Sequence, residues 1–130
     1  MSSALKLPPQ SSPDVLKDFI EDQYLHQVVI QSSDNNQLRY KDLHEAINNT
    51  HSRDAEWRIH FHVPVFTANY QQLQSTQDYI TEILELHREE LLTDHMEIET
   101  YTWEVLPPEW QLPLSRSIIR EFEFILDQIQ

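Results

Sequence analysis

Two short runs carry side chains that could do chemistry. Residues 57–66 read WRIHFHVPVF and residues 95–103 read HMEIETYTW. Successive side chains of a strand point to opposite faces, so His60 and His62 share a face, and so do Glu97 and Glu99. Carboxylates confined in a protein interior are costly unless compensated. A divalent cation shared with imidazole is one form of compensation, and His62, Glu99, His60 and Glu97 are the candidate ligands. A hydrogen-bonded histidine–glutamate pair is the other, and spacing alone leaves both open.

Other chemistries are excluded by what the chain lacks. It contains no glycine, so loops that cradle phosphates or dinucleotides are absent, and it contains no cysteine, so thiolate metal sites and disulfides are absent too. The HFH segment lacks the nearby glutamate and bending glycines of a cupin strand, and neither HExxH nor GxSxG occurs. With 22 acidic against 9 basic residues the net charge is −13. That repels nucleic acid and anionic membranes, and no Lys/Arg cluster offsets it. No apolar run is long enough to span a bilayer and no signal-peptide core opens the chain. The expectation is a cytoplasmic protein without membrane insertion.

The elements that must position the four residues follow from periodicity. One segment, 1–130, suits a single domain, with residues 1–12 read as irregular because they are rich in Pro and Ser. Ser12-Pro13-Asp14 starts a short helix carrying Val15, Leu16, Phe19 and Ile20. YLHQVVI (24–30) reads as a strand, SSDNN (32–36) as a turn whose Asn and Asp supply left-handed positions, and LRY as a short returning strand. A helix of one or two turns covers 41–49. WRIHFHVPVF is the next strand, and TANYQQLQ a loop. Ser75, with Asp78, caps a helix reaching about Leu92, striped by Tyr79, Ile80, Ile83, Leu84, His87 and Leu91. HMEIETYTW is a third main strand. A final helix begins at Pro113 or Ser115, with Ile118, Ile119, Phe122, Ile125, Leu126 and Ile129 on one face.

Strands separated by helices imply an α/β protein with parallel strands and right-handed crossovers. Three such strands leave one sheet face bare, whereas parallel strands need both faces covered. A barrel removes the difficulty, so the expected fold class is a partial (β/α)8 TIM barrel, roughly its last three βα units, with His60, His62, Glu97 and Glu99 facing the lumen.

The segments YLHQVV, LRYKDLHEAI, EWRIHFHVPVF, LQSTQDYITEIL and HMEIETYTWEVLPPEW resemble the carboxyl-terminal portion of the EboE-like metabolite traffic proteins, in the xylose-isomerase-like TIM-barrel superfamily. The resemblance covers residues from about 20 to 130 and implies that the chain is a fragment whose earlier barrel strands lie elsewhere. It further implies handling or export of a small metabolite, with a divalent metal held by His62 and by Glu99 or Glu97. Sugar isomerase- or epimerase-like proton transfer would then fall to Glu99 as the catalytic carboxylate. Val63, Pro64 and Val65 stand where the epimerases carry glycine and glutamate, which puts their substrate contacts in doubt. The alternative expectation is a noncatalytic acidic module that forms a homo-oligomer or docks on a partner, including an N-terminal barrel partner.

Overall fold

In a computed structural model, which describes residues 1–50, 53–99, 108 and 111–129, the chain is built on one six-stranded sheet. The strands are β1 (Ser3–Leu7), β2 (Val28–Ser32), β3 (Gln37–Tyr40), β4 (Ala55–Val63), β5 (Asn69–Tyr70) and β6 (Leu73–Ser75). The helices are a 3-10 helix (Pro13–Phe19), α1 (Leu43–Asn49), α2 (Gln77–Glu89) and α3 (Leu114–Ile129). The strand order is β3-β2-β4-β1-β6-β5 and every pair is antiparallel.

The parallel TIM-barrel expectation is therefore corrected. The chain reverses through the β2–β3 hairpin and α1, so β4 comes back against β2 rather than alongside it. The opening segment, expected to be irregular, supplies β1, which lies between β4 and β6. It pairs Ser3 with Val63 and Leu7 with Trp57, with an irregularity between Ala4 and Leu5. Residues 95–99 of the expected third strand form no strand, and residues 100–103 lie outside the described residues.

Both sheet faces are covered, as layered domains require. On one face Trp57, Ile59, Phe61 and Val63 of β4 pack with Leu5, Leu7, Val28 and Ile30 beneath the 3-10 helix and α1, which contribute Leu16, Phe19, Leu43 and Ala46. Phe19 meets Phe61 edge-on at 5.2 Å between ring centroids, a geometry favoured by the ring quadrupoles. The opposite face carries Lys6, Arg58, His60 and His62. There α2 is tied down by Lys6 Nζ to Asp78 Oδ2 at 2.8 Å and by Arg58 Nη2 donating to Tyr79 Oη at 2.7 Å. A second apolar cluster of Val65, Ile80, Leu84 and Ile125 joins α2 to α3.

Turns without glycine draw on other residues. Asn35 takes φ 64° in the β2–β3 turn, where Asp34 accepts from Ser32 Oγ and the Asn36 N–H; the Ser32 hydroxyl above all holds the Asp34 carboxyl below its usual range. Gln71 takes φ 55° between Tyr70 and Leu73 in the β5–β6 hairpin. A glutamine side chain in the left-handed region costs roughly 1 kcal/mol that glycine avoids. Gln71→Gly is expected to raise the melting temperature by roughly 2–4 °C; an unchanged or lower melting temperature would show that the hairpin relaxes the strain by other means.

Candidate functional site

The four residues singled out by spacing do not converge on one centre. His60 and His62 share a face of β4, and their rings stack with centroids 4.7 Å apart and planes 26° apart. His60 is exposed, whereas His62 is buried at 4%. Met1 explains what reaches His62. Its ammonium donates to the Glu97 carbonyl, and its own carbonyl accepts from the Glu99 N–H at 3.0 Å. Residues 97–99 thus lie against the start of the chain, and β1 carries that edge to β4, where Ala4 is opposite His62.

The result is one imidazole–carboxylate approach, His62 Nδ1 to Glu99 Oε2 at 3.5 Å. That is an ion-pair distance rather than a well-aligned hydrogen bond. Burial is the main influence on His62 and holds its pKa below the usual imidazole value; Glu99 opposes that shift, while His60 and the terminal ammonium add to it. Glu97 turns away, its Oε1 3.1 Å from His95 Nε2, with both side chains in solvent.

An imidazole and one carboxylate are two of the donors a divalent cation takes, and a firmly held ion needs more. Among the described residues no group of three or more His, Asp or Glu side chains is arranged to hold a metal. Proton transfer by Glu99 also lacks an enclosure there, since its side chain is 53% exposed.

Two groups that spacing did not single out are more deeply built in. His26, 1% exposed, bridges the chain before β2 to β4. Its Nε2 lies 2.8 Å from Glu21 Oε1, its Nδ1 lies 3.2 Å from the His60 carbonyl oxygen, and its ring sits 4.7 Å from that of Phe61. Its backbone N–H donates to Asp42 Oδ1 at 2.8 Å, tying the same segment to the start of α1.

Glu121 of α3 is 1% exposed. Its Oε1 accepts from the Val65 N–H at 3.2 Å, while Oε2 is buried with no hydrogen-bond partner among the described residues. Burial pushes this carboxyl up to about 7, against the Val65 hydrogen bond and the terminal ammonium, which both favour the charged form. The only sequence signal for Glu121 is a charge set within the apolar run of the last helix, EFEFIL.

The remaining observations concern surfaces. A polar groove of about 590 Å³ is lined by Gln10, Gln31, Ser32, Asp54, Glu56 and Arg58, among others. Both long helices turn apolar side chains outward: Tyr79, Ile83 and Leu86 on α2 are 43%, 50% and 49% exposed, and Ile119, Phe122 and Leu126 on α3 are 57%, 51% and 48%. No helix among the described residues is long and apolar enough to cross a membrane. No protein-family model matches the chain, and neither a curated protein nor a solved structure matches it.

Proposed function

We propose that this chain is a protein-interaction module that docks, through α2, onto a basic amphipathic helix of a partner. One observation carries the reading, the outward pair Ile83 and Leu86, continued by the half-exposed ring of Tyr79 that Arg58 anchors to the sheet and bordered by a row of exposed glutamates. Residues at i, i+4 and i+7 line one face of a helix. Glu82, Glu85 and Glu89 follow the same rise one position round and are all exposed. An apolar seam edged by carboxylates fits a helix that presents leucine-type side chains flanked by Lys or Arg. The net charge of −13 speeds the approach of such a partner. Absence of cysteine supports the cytoplasm as the place where this happens.

The test is a titration with a synthetic amphipathic Leu/Lys helix, followed by fluorescence anisotropy of the labelled peptide. We expect saturable binding that weakens with salt and falls at least about tenfold in the Ile83→Asp, Leu86→Asp double variant, as loss of a central apolar seam dictates. Binding that survives this double variant would reduce the effect to bulk acidity, and no binding at all would end the proposal.

A further inference from the structure

Helix α3 is rolled away from its own apolar stripe. The residues it buries most deeply are Ser117, Glu121 and Ile125, at 3%, 1% and 5% exposure. Ile119, Phe122 and Leu126 form the neighbouring line at i, i+3 and i+7, and they face solvent. A free helix would bury the second line and expose a glutamate; this one admits the glutamate and leaves a phenylalanine out. Something outside the described fold is needed to cover that line.

The charges beside the line identify the cover. Arg116, Arg120, Glu123 and Asp127 lie together along the exposed side of α3. The two cations occupy its amino-terminal half and the two anions its carboxyl-terminal half. The face is therefore locally neutral in a chain whose net charge is −13. A uniformly basic partner would meet Arg116 and Arg120, and a uniformly acidic one would meet Glu123 and Asp127. A second α3 running antiparallel satisfies both. With Phe122 at the centre, Ile119 of one copy faces Leu126 of the other, Arg116 faces Asp127 and Arg120 faces Glu123. The midpoints of these pairings all fall within one residue of Phe122, as a two-fold interface centred there requires. A parallel arrangement would set arginine against arginine. Arg120 is held in place beforehand by its guanidinium, 4.0 Å above the centre of the Phe66 ring.

We infer that α3 is a homodimer interface, pairing antiparallel with α3 of a second copy about a two-fold axis near Phe122. The inference is independent of the docking proposed for α2, since it uses a different helix. A single pair of helices of 16 residues, about 24 Å long, falls at the small end of protein interfaces, so the dimer is reversible and forms in the micromolar range.

Sedimentation equilibrium of the full chain from about 1 to about 500 µM, a span bracketing such affinities, tests this. The mass is expected to rise from 15.6 kDa towards twice that value. Phe122→Asp, an exposed substitution, should keep the monomer mass throughout while its circular dichroism and melting stay those of a folded chain. Charge reversal gives a sharper readout. Arg116→Glu with Arg120→Glu makes one all-acidic face, Glu123→Arg with Asp127→Arg makes one all-basic face, and each variant alone should be monomeric. Mixed in equal amounts they should dimerise again, at least about tenfold more tightly than either alone. The Ile83→Asp, Leu86→Asp variant should dimerise as the unsubstituted chain does. A monomer mass at the highest concentration, a mixture that stays monomeric with both variants folded, or a dimer lost through the α2 variant instead would each overturn the inference.

Discussion

Replacing Glu121 by glutamine is expected to stabilise the protein at pH 8 by about 3 kcal/mol and to leave it nearly unchanged at pH 4.5. Glutamine keeps an oxygen for the Val65 N–H and removes the charge that burial opposes. In the folded chain the carboxyl titrates at about 7, against an ordinary value of 4.5. Between those values the native state binds more protons than the unfolded state, so stability is fullest below about pH 4.5 and declines as pH rises through 7. At about 1.4 kcal/mol for each unit of pKa, the decline amounts to about 3 kcal/mol. His62 acts in the opposite sense. Its folded-state value lies below the usual 6.5, so its contribution is present above that pH and is lost as pH falls below it. The Glu121→Gln variant should thus show stability rising with pH through the acid range, a slope that Glu121 conceals in the unsubstituted chain. Denaturant melts at several pH values decide the matter: parallel curves for the two proteins would mean that water or a partner atom already serves Oε2.

The second large effect is expected at His26. Its imidazole contacts Phe61 and reaches both Glu21 and the carbonyl of His60. His26→Ala removes the ring, leaves a cavity beside Phe61 and strips a partner from the Glu21 carboxylate and from the His60 carbonyl. Cavity and unmade hydrogen bonds together cost about 3 kcal/mol, or roughly 10 °C in melting temperature for a chain of this length. Thermal melts at pH 7 test it. A loss under 1 kcal/mol would mean that the segment before β2 is held by Asp42 and the sheet alone.

Much of the local structure is readable in the residues. Asn and Asp in SSDNN announce a turn without glycine, and Asn35 takes the left-handed position. The alternation in WRIHFHV separates Trp57, Ile59, Phe61 and Val63 from His60 and His62, as β4 does. The periodic stripes place α2 and α3 within a few residues of their bounds. Topology is less legible. SALKL is a five-residue strand between Ser- and Pro-rich neighbours, and nothing local announces that it sits mid-sheet. The β5–β6 hairpin is short, and its turn uses Gln71 where a glycine would have signalled it. Without β1 the alternation of strands and helices points to parallel crossovers; with it the antiparallel ladder closes.

The site was half legible. Parity sets His60 beside His62, and proximity of His62 to Glu99 follows from the shared edge at Met1, a contact between residues nearly a hundred positions apart. Glu97 and Glu99 share a face only in a strand, and residues 95–99 are not one. Glu121 escapes pattern reading for a physical reason: a helix whose apolar stripe is wide can roll, and only packing against Val65 selects the face that goes inside.

The position of β1 also governs how the chain must assemble. Strand β1 has partners about 60 and 70 residues further along the chain, at Val63 and Ser75. That whole intervening stretch must be synthesised before Leu5 and Leu7 can find both neighbours. Closing loops of that length costs entropy before any ladder bond compensates it, so β1 docks late and slows folding of the whole sheet. Until then β4 and β6 stand as two unjoined edges, and the nascent chain is most open to wrong strand pairing in that interval.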